Sequence, residues 1–446
     1  MCASINRRLN AAYSPEAHHL LALAARLAEE RGWQLYLVGG WVRDALLSIP
    51  NTDLDISVIG DAHTLAHLIA QQTGGEVEAH DRFDTATLII QSPTLEGKDP
   101  QATNSALRTP HSAFHLDLVT ARKETYETPG ALPTVQAGTI WDDLARRDFT
   151  VNAMATSLTT DGPGELVDPH GGLADLDAGL IRVLHAQSFR DDPTRLIRAV
   201  RFAERLGFRI EQETLELALQ AIRDGALYTV STDRVVRELL KVLEEPNAGA
   251  MLARLEKMGI MQAIHPALHW PYTPERLQIA ADDTITATER RDAYLVAIGA
   301  EFSQEPDDAG QLAHALKLTA PQRKLMQDAA KLAQLWPQLG EPGLSRSQVY
   351  NLLHTLDVSA LEAYTRIRAL SADAVAWEQL HDYLTDMRFI KPHLTGDYLR
   401  QIGLPPGAAY RRILQALLEA RLNDEVATRA DEEQFVRAWL EEHGLH

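Results

Sequence analysis

The 446-residue chain predicts an α+β fold: an N-terminal head of mixed strands and helices, followed by an all-α neck, body and tail. Three observations predict it. Between about residues 35 and 160, short apolar runs of strand length ("LYLV", "DLDISVI", "TATLII", "FHLDLVTA") are separated by helical or turn-rich stretches. Beyond about residue 175 strand patterns largely stop, and amphipathic patterns such as "TRLIRAVRFAERLGF", "DRVVRELLKVLEE" and "YRRILQALLEARL" take over. The chain is also longer than single cores usually grow, so more than one packed unit is expected. The expected division is a head over 1–160, a neck over 161–245 that meets the nucleotide base, a helical body over 246–360 and a helical, RNA-binding tail over 361–446.

Composition bounds the function classes. The lone Cys2 can form no internal disulfide and no cysteine-based zinc site. No signal-type apolar segment opens the chain and no run reaches the length of a membrane span, so a soluble, cytoplasmic protein with no membrane partner is expected. A net charge of −19 argues against nucleic acid unless basic residues cluster locally.

The first element that carries chemistry is "LYLVGGWVRDALL". An apolar strand runs into Gly39 and Gly40, which tolerate unusual backbone angles and close ligand approach, and a helix succeeds them. A helix N-terminus behind a glycine turn suits a phosphate, and Arg43 adds a cation in the first turn. Alone, such a junction is a tight turn; acidic residues further along the chain give it function. In "DLDIS", Asp53 and Asp55 flank Leu54, so on a strand both carboxylates point to one face. Two hard-oxygen ligands so placed can hold one or two Mg²⁺ ions. A third carboxylate, Asp117 in "FHLDLVTAR", sits mid-strand among apolar neighbours, with Arg122 five residues on. Between these strands "QSPTLEGKDPQATNSALRTPHSA" reads as a long exposed hairpin loop, and "VNAMATSLTTDGPGELVD" as two strands about an Asp161-Gly162 turn.

In "DLARRDFTVNAMA", Arg146 and Arg147 are adjacent cations, while Asp148 and Asn152 offer hydrogen-bonding groups suited to ribose hydroxyls. In "FRDDPTRLIRAVRFAERLGF", a helix starts at Asp192-Pro193. Leu196, Ala199, Val200, Ala203 and Leu206 share one face; Arg195, Arg198, Arg201 and Arg205 share the other, the local basic stripe that the net charge conceals. Asp192 and Arg195, at i and i+3, place an acceptor beside a donor. Cytosine and adenine present the complementary pattern, whereas uracil and guanine invert it and leave buried groups unpaired.

These motifs together resemble the class II tRNA nucleotidyltransferase and bacterial poly(A) polymerase family, within the polymerase-β-like nucleotidyltransferase superfamily, across roughly residues 35–245. The resemblance implies a polymerase-β-like head and Mg²⁺-assisted attack of an RNA 3′-hydroxyl on the α-phosphate of CTP or ATP. Asp53 and Asp55 would hold metal, and Asp117 would assist the hydroxyl. Gly39, Gly40 and Arg43 would cradle the phosphates, Asp148 and Asn152 would meet the ribose and Asp192 and Arg195 the base, with Arg122, Arg147, Arg198 and Arg201 as further nucleotide-binding residues. "VSTDRVVRELLKVL" resembles the family's next motif, with Arg234 and Arg237 either facing nucleotide or bracing structure; "LTGDYLRQIGLPPGAAYRRILQALLEARL" resembles its C-terminal element.

The chain departs from the family in Asp191, where glutamate is usual, Ser48, where glycine is frequent, and Thr52, where a basic residue is frequent. "ISVIGDAHTLAHL" and "HDRFDTATLII" stand where poly(A) polymerases carry "GRRFRLVHV", which favours a tRNA enzyme. The uninterrupted "ARKETYETPGALPTVQAGTIWDDL" leans toward full CCA or terminal A addition over CC addition alone, and "PGALP" is shared with A-adding relatives. The expected activity is untemplated addition of C, C and A to tRNA from CTP and ATP. Its alternatives are partial addition, poly(A) synthesis, or a non-catalytic RNA-binding or nucleotide-sensing protein; retention of all three carboxylates speaks against the last. Oligomeric state is not legible.

Overall fold

A computed structural model describes residues 9, 15–51, 53–80, 85–91, 113–125, 134–273, 278–279, 285–368 and 373–444. The chain divides into two compact units, Met1–Ser231 and Thr232–His446. The first holds the expected head and most of the expected neck; the second holds the rest. Among the described residues, no helix is long and apolar enough to cross a membrane.

In the first unit, α1 (Pro15–Glu29) leads into β1 (Gln34–Val38), α2 (Gly40–Leu47), β2 (Leu54–Ile59), α3 (Ala62–Thr73), β3 (Glu76–His80), β4 (Thr85–Gln91) and β5 (Ala113–Thr120). The small hairpin β6 (Arg122–Thr125) and β7 (Thr134–Ala137) comes next, then α4 (Ile140–Ala145), β8 (Ala155–Thr159) and β9 (Gly162–Val167). Seven strands form one sheet in the order β3-β4-β5-β2-β1-β8-β9. Within this sheet, among the described residues, only β2 and β5 pair in parallel; every other neighbouring pair in it is antiparallel. β8 and β9 close on each other at Thr159↔Gly162, the hairpin expected at Asp161-Gly162.

Strand alternation sorts the side chains onto two faces. On β1, Leu35 and Leu37 face one way; on the other face Tyr36 and Val38 join Ile140 and Leu144 of α4, Ala155 and Ile59 in one apolar cluster. Ile59 shares its parity with Asp55 and Ser57 on β2, so the Asp55 carboxylate looks toward the α4 side of the sheet, and Asp53 immediately precedes the strand. The residues between, Leu54, Ile56 and Val58, are buried.

After β9, α5 (Gly172–Ala178), the short parallel pair β10 (Leu180–Ile181) and β11 (Arg209–Ile210), α6 (Ser188–Asp191), α7 (Arg195–Leu206) and α8 (Gln212–Arg223) complete the unit. The helix expected from Asp192-Pro193 is α7, which begins at Arg195 after the turn Asp192–Thr194, and a separate short helix, α6, ends just before it at Asp191. The strands β3 and β6/β7 were not anticipated. β3 is "EVEAH" at the sheet edge, where charged residues are favoured and apolar patterning is weak.

The second unit is helical among the described residues apart from a two-residue strand pair, Gln278–Ile279 with Ile367–Arg368. Its last part packs Leu399, Ile413, Leu417 and Val436 into a core of its own. There Glu432 is fully buried and accepts from the backbone N–H groups of His393 and Leu394, at 3.0 and 2.8 Å. On its helix Ala408–Leu422, Arg411 and Arg412 are exposed.

The expected hairpin loop at 91–113 and the middle of the "ARKETYETPGALP" segment lie largely outside the described residues.

Candidate active site

The strand-turn-helix junction is built around Gly39. Its φ of 68° lies in the left-handed region, and a Cβ there would run into the Arg147 guanidinium. Gly40 carries no such demand: it opens α2, and an added Cβ would meet its nearest neighbour, Arg43 Nη2, at 3.7 Å. Among the described residues no side chain caps α2, an arrangement that leaves a helix N-terminus open to an anion.

Arg43 departs from the sequence expectation. It is only 3% exposed and turns inward. Its Nε donates to Asp44 Oδ1 at 2.7 Å and its Nη1 to Asn152 Oδ1 at 2.6 Å. A guanidinium this committed acts as a brace between Asp44 and Asn152. Asp44, equally buried, also accepts from Asn51 Nδ2 at 2.8 Å.

The three carboxylates meet through the sheet. The parallel β2–β5 register sets Asp55 directly beside Asp117, and the β4–β5 register sets Thr87 on the other side of Asp117. Neighbouring strands stand about 4.8 Å apart, so paired side chains touch or nearly touch. Thr87 Oγ1 donates to Asp117 Oδ1 at 2.6 Å, which fixes that carboxylate. Asp53, just before the start of β2, is exposed. Burial lifts the Asp55 carboxyl to about 6; Arg147 opposes this, while Asp117, Asp53 and Asp143 add to it.

Arg147 is the cation of this neighbourhood. Its Nη2 donates to Asp143 Oδ2 at 3.0 Å, and its Nε is buried with no hydrogen-bond partner among the described residues. Asp143, fully buried, also receives Arg146 at 2.6 Å. Burial works against its ionisation, but the two guanidinia hold its carboxyl below the usual range. Arg122 donates to Glu124, which also receives Arg146 Nη1 at 3.3 Å; it belongs to this outer ion-pair network.

Asp148 and Asn152 form a second knot. Asn152 Nδ2 donates to Asp148 Oδ1 at 3.0 Å, and Arg198 Nε to Asp148 Oδ2 at 2.9 Å. Burial alone would raise the Asp148 carboxyl; Arg198, the Asn152 bond and Arg195 together hold it down at about 2. The guanidinia of Arg43, Arg198 and Arg201 each lie 5.3 Å from the ring centroid of Phe202, a close cationic grouping about one aromatic ring.

The basic stripe of α7 is therefore largely interior. Arg195 is 5% and Arg201 8% exposed; Arg198 is half-buried, and only Arg205 is exposed. Arg195 Nη1 donates to Ser188 Oγ at 2.6 Å and Nη2 to the Arg146 carbonyl at 2.7 Å, so it clamps α6 and the end of α4. Asp192 Oδ1 accepts from the N–H and hydroxyl of Thr194, at 3.0 and 2.6 Å, in the turn before α7.

Sequence reasoning missed Thr87, Asp143, Asp44, Asn51 and Phe202. Asp143 was legible: it precedes Arg146 and Arg147 by three and four residues, the spacing of helical ion pairs. Thr87 gave no signal, because only strand register brings it to Asp117.

The donor set fits a magnesium ion in part. Among the described residues, no three His, Cys, Asp or Glu side chains form a group that could hold a metal alone. Mg²⁺, however, is commonly held by one or two carboxylates with water and substrate phosphates completing the shell. A carboxylate pushed up by burial, with its acidic neighbours adding to the effect, is where such a cation relieves repulsion.

The Poly A polymerase head domain family matches residues 35–182, and the family described as the probable RNA and SrmB-binding site of polymerase A matches 207–270. The A-adding tRNA nucleotidyltransferase of Geobacter sulfurreducens is 34% identical over 91% of this chain, which spans only 45% of that relative's length. The A-adding tRNA nucleotidyltransferase of Halalkalibacterium halodurans is 32% identical over 94% of this chain and 92% of its own. Among solved structures, an apo form of a CCA-adding enzyme superposes with a TM-score of 0.72 and 28% identity, covering 98% of this chain and 99% of the other.

Proposed function

The chain belongs to the tRNA nucleotidyltransferase family, and on that premise we propose that it transfers the terminal adenosine of the CCA end from ATP to tRNA. The observation that carries the transfer chemistry is the placement of Asp55 beside Asp117 in the β2–β5 register, next to the Gly39 turn. The adenosine step is favoured by the two A-adding relatives that match more than nine tenths of the chain. Addition of the whole CCA end is the second reading, favoured by likeness to a CCA-adding enzyme over the full length.

In this reading the 3′-hydroxyl of the RNA attacks the α-phosphate in line. One P–O bond forms, the bond to the bridging oxygen breaks, and pyrophosphate leaves. Asp117, with Oδ1 held by Thr87, keeps Oδ2 to accept the hydroxyl proton. Asp53 and Asp55 would hold Mg²⁺, which supplies positive charge to the phosphates and to the attacking oxygen. The uncapped start of α2 receives phosphate oxygens, and Arg147 balances the acidic cluster at Asp55.

Arg43 acts as a brace: it fixes Asn152, which with Asp148 and Arg198 forms a preorganised edge for the sugar. Base choice rests on Asp192 and Arg195, each held by its own hydrogen bonds before nucleotide arrives. A group fixed in this way cannot turn to suit an inverted donor-acceptor pattern, so uracil and guanine leave buried polar atoms unpaired.

The test is incorporation of each labelled nucleoside triphosphate into tRNA transcripts lacking the last one, two or three nucleotides. ATP use confined to the transcript that lacks only the terminal A supports the proposal. CTP use on the shorter transcripts together with ATP use on the transcript that lacks only the terminal A establishes the second reading, and CTP use without ATP use overturns both in favour of CC addition. No incorporation on any transcript overturns both.

A further inference from the structure

Asn51 lies in the turn between α2 and β2, outside every motif described above. Its side chain bonds in two directions. Its Oδ1 accepts from the backbone N–H of Asp53 at 2.8 Å, and its Nδ2 donates to Asp44 Oδ2 at 2.8 Å. Asp44 is 2% exposed, and its other oxygen takes the Arg43 guanidinium. Arg43 reaches Asn152, Asn152 reaches Asp148, and Asp148 takes Arg198 on α7. An unbroken run of hydrogen bonds therefore begins at the backbone of an exposed carboxylate residue and ends in the buried interior.

We propose that Asn51 is a positioning residue: it ties the backbone of Asp53 to the buried Asp44–Arg43 pair and so holds the Asp53 carboxylate in its metal-binding place. This rests on the proposed transfer reaction. β2 begins only at Leu54, so Asp53 lies just outside the strand. A carboxylate used at the reacting phosphate must nonetheless be held within fractions of an ångström, because small misplacements cost rate far more than binding. Asn51 supplies the anchor that the strand does not. The amide is the fitting side chain, since it accepts from a backbone N–H and donates to a carboxylate at once.

The test uses Asn51→Ala, Asn51→Asp and the exchange variant Asn51→Asp with Asp44→Asn. Asp at position 51 keeps the acceptor for the Asp53 N–H but sets a negative charge against Asp44. The exchange restores a donor and an acceptor with their positions reversed, while the amide introduced by Asp44→Asn still offers an oxygen to Arg43. The measurements are steady-state kinetics on the transcript that the unchanged chain extends, Mn²⁺ binding to the protein by electron paramagnetic resonance, and thermal unfolding.

Asn51→Ala and Asn51→Asp are expected to lower kcat about tenfold or more with KM for the nucleotide changed less than about threefold, and to weaken Mn²⁺ binding. The exchange variant is expected to recover most of both. Full activity in Asn51→Asp would show that the Asp44 link plays no part, and kcat within about twofold in Asn51→Ala would remove the role altogether; either overturns the proposal. A fall in melting temperature with normal kcat and Mn²⁺ binding would reduce Asn51 to a structural turn and overturn it as well. If the unchanged chain incorporates no nucleotide, the proposed function fails, and the Mn²⁺ measurements alone decide this proposal.

Discussion

Replacing Asp55 by Asn should make the protein more stable while abolishing its activity. Burial, with the charges of Asp117, Asp53 and Asp143 adding to it, moves the Asp55 carboxyl from 3.8 to about 6. A raised carboxyl pKa means that the folded protein holds a proton the unfolded chain has released. Stability is therefore fully present below 3.8, falls as pH rises through the window up to about 6, and stays lost above it. At roughly 1.4 kcal/mol per pKa unit, the ionised carboxylate costs up to about 3 kcal/mol at pH 8. Asn carries no charge and escapes that cost. Urea unfolding of both proteins at pH 8 and pH 4, without divalent metal, measures it. The variant's advantage should approach about 3 kcal/mol at pH 8 and shrink below about 1 kcal/mol at pH 4. A variant equally or less stable at pH 8, or an advantage that does not vary with pH, would refute the electrostatic account of this site.

The same geometry sets three further outcomes. Mg²⁺ should raise the melting temperature of the unchanged chain at pH 8 and have a much smaller effect on Asp55→Asn, as read by calorimetry, because the cation acts through the crowded carboxylate. Arg198→Ala should destabilise the protein by about 3 kcal/mol in urea unfolding, because it leaves the buried Asp148 carboxylate without its principal partner; Arg198→Lys should recover part of the loss. Gly39→Ala should cost about 1–2 kcal/mol for its left-handed backbone and lower activity further by displacing Arg147, whereas Gly40→Ala, with open contact at its Cβ, should fold and turn over near normally.

Much of the site was legible in the sequence because it is local. The Gly39 turn, α2 and the Asp53-Leu54-Asp55 alternation arise from residues within one short stretch, where period and glycine chemistry speak directly. The α7 stripe was legible only in part. Helical periodicity correctly set its apolar and basic faces opposite each other, but periodicity does not say what covers a face. Here Asp148, Ser188 and the Arg146 carbonyl cover part of it, and two of the arginines are interior. Arg43 shows the same limit. Its place in the first turn of a helix suggested a phosphate cation, and only the approach of Asn152, 109 residues away, turns it into a brace. β3 was missed because an edge strand written "EVEAH" carries little of the apolar alternation by which strands are recognised.

The single parallel pairing in the sheet makes the distance between Asp55 and Asp117 a property of backbone register, not of side-chain reach. Because α3, β3 and β4 intervene between β2 and β5, the length of what joins them can vary without moving either carboxylate. A one-residue insertion inside β5 before Leu116 is a different matter: if the strand keeps its pairing, the carboxylate turns to the opposite face of the sheet and Leu116 takes its place. Inheritance can therefore lengthen or shorten the connections freely, while the reading frame of two short strands works as a ruler that tolerates no slip.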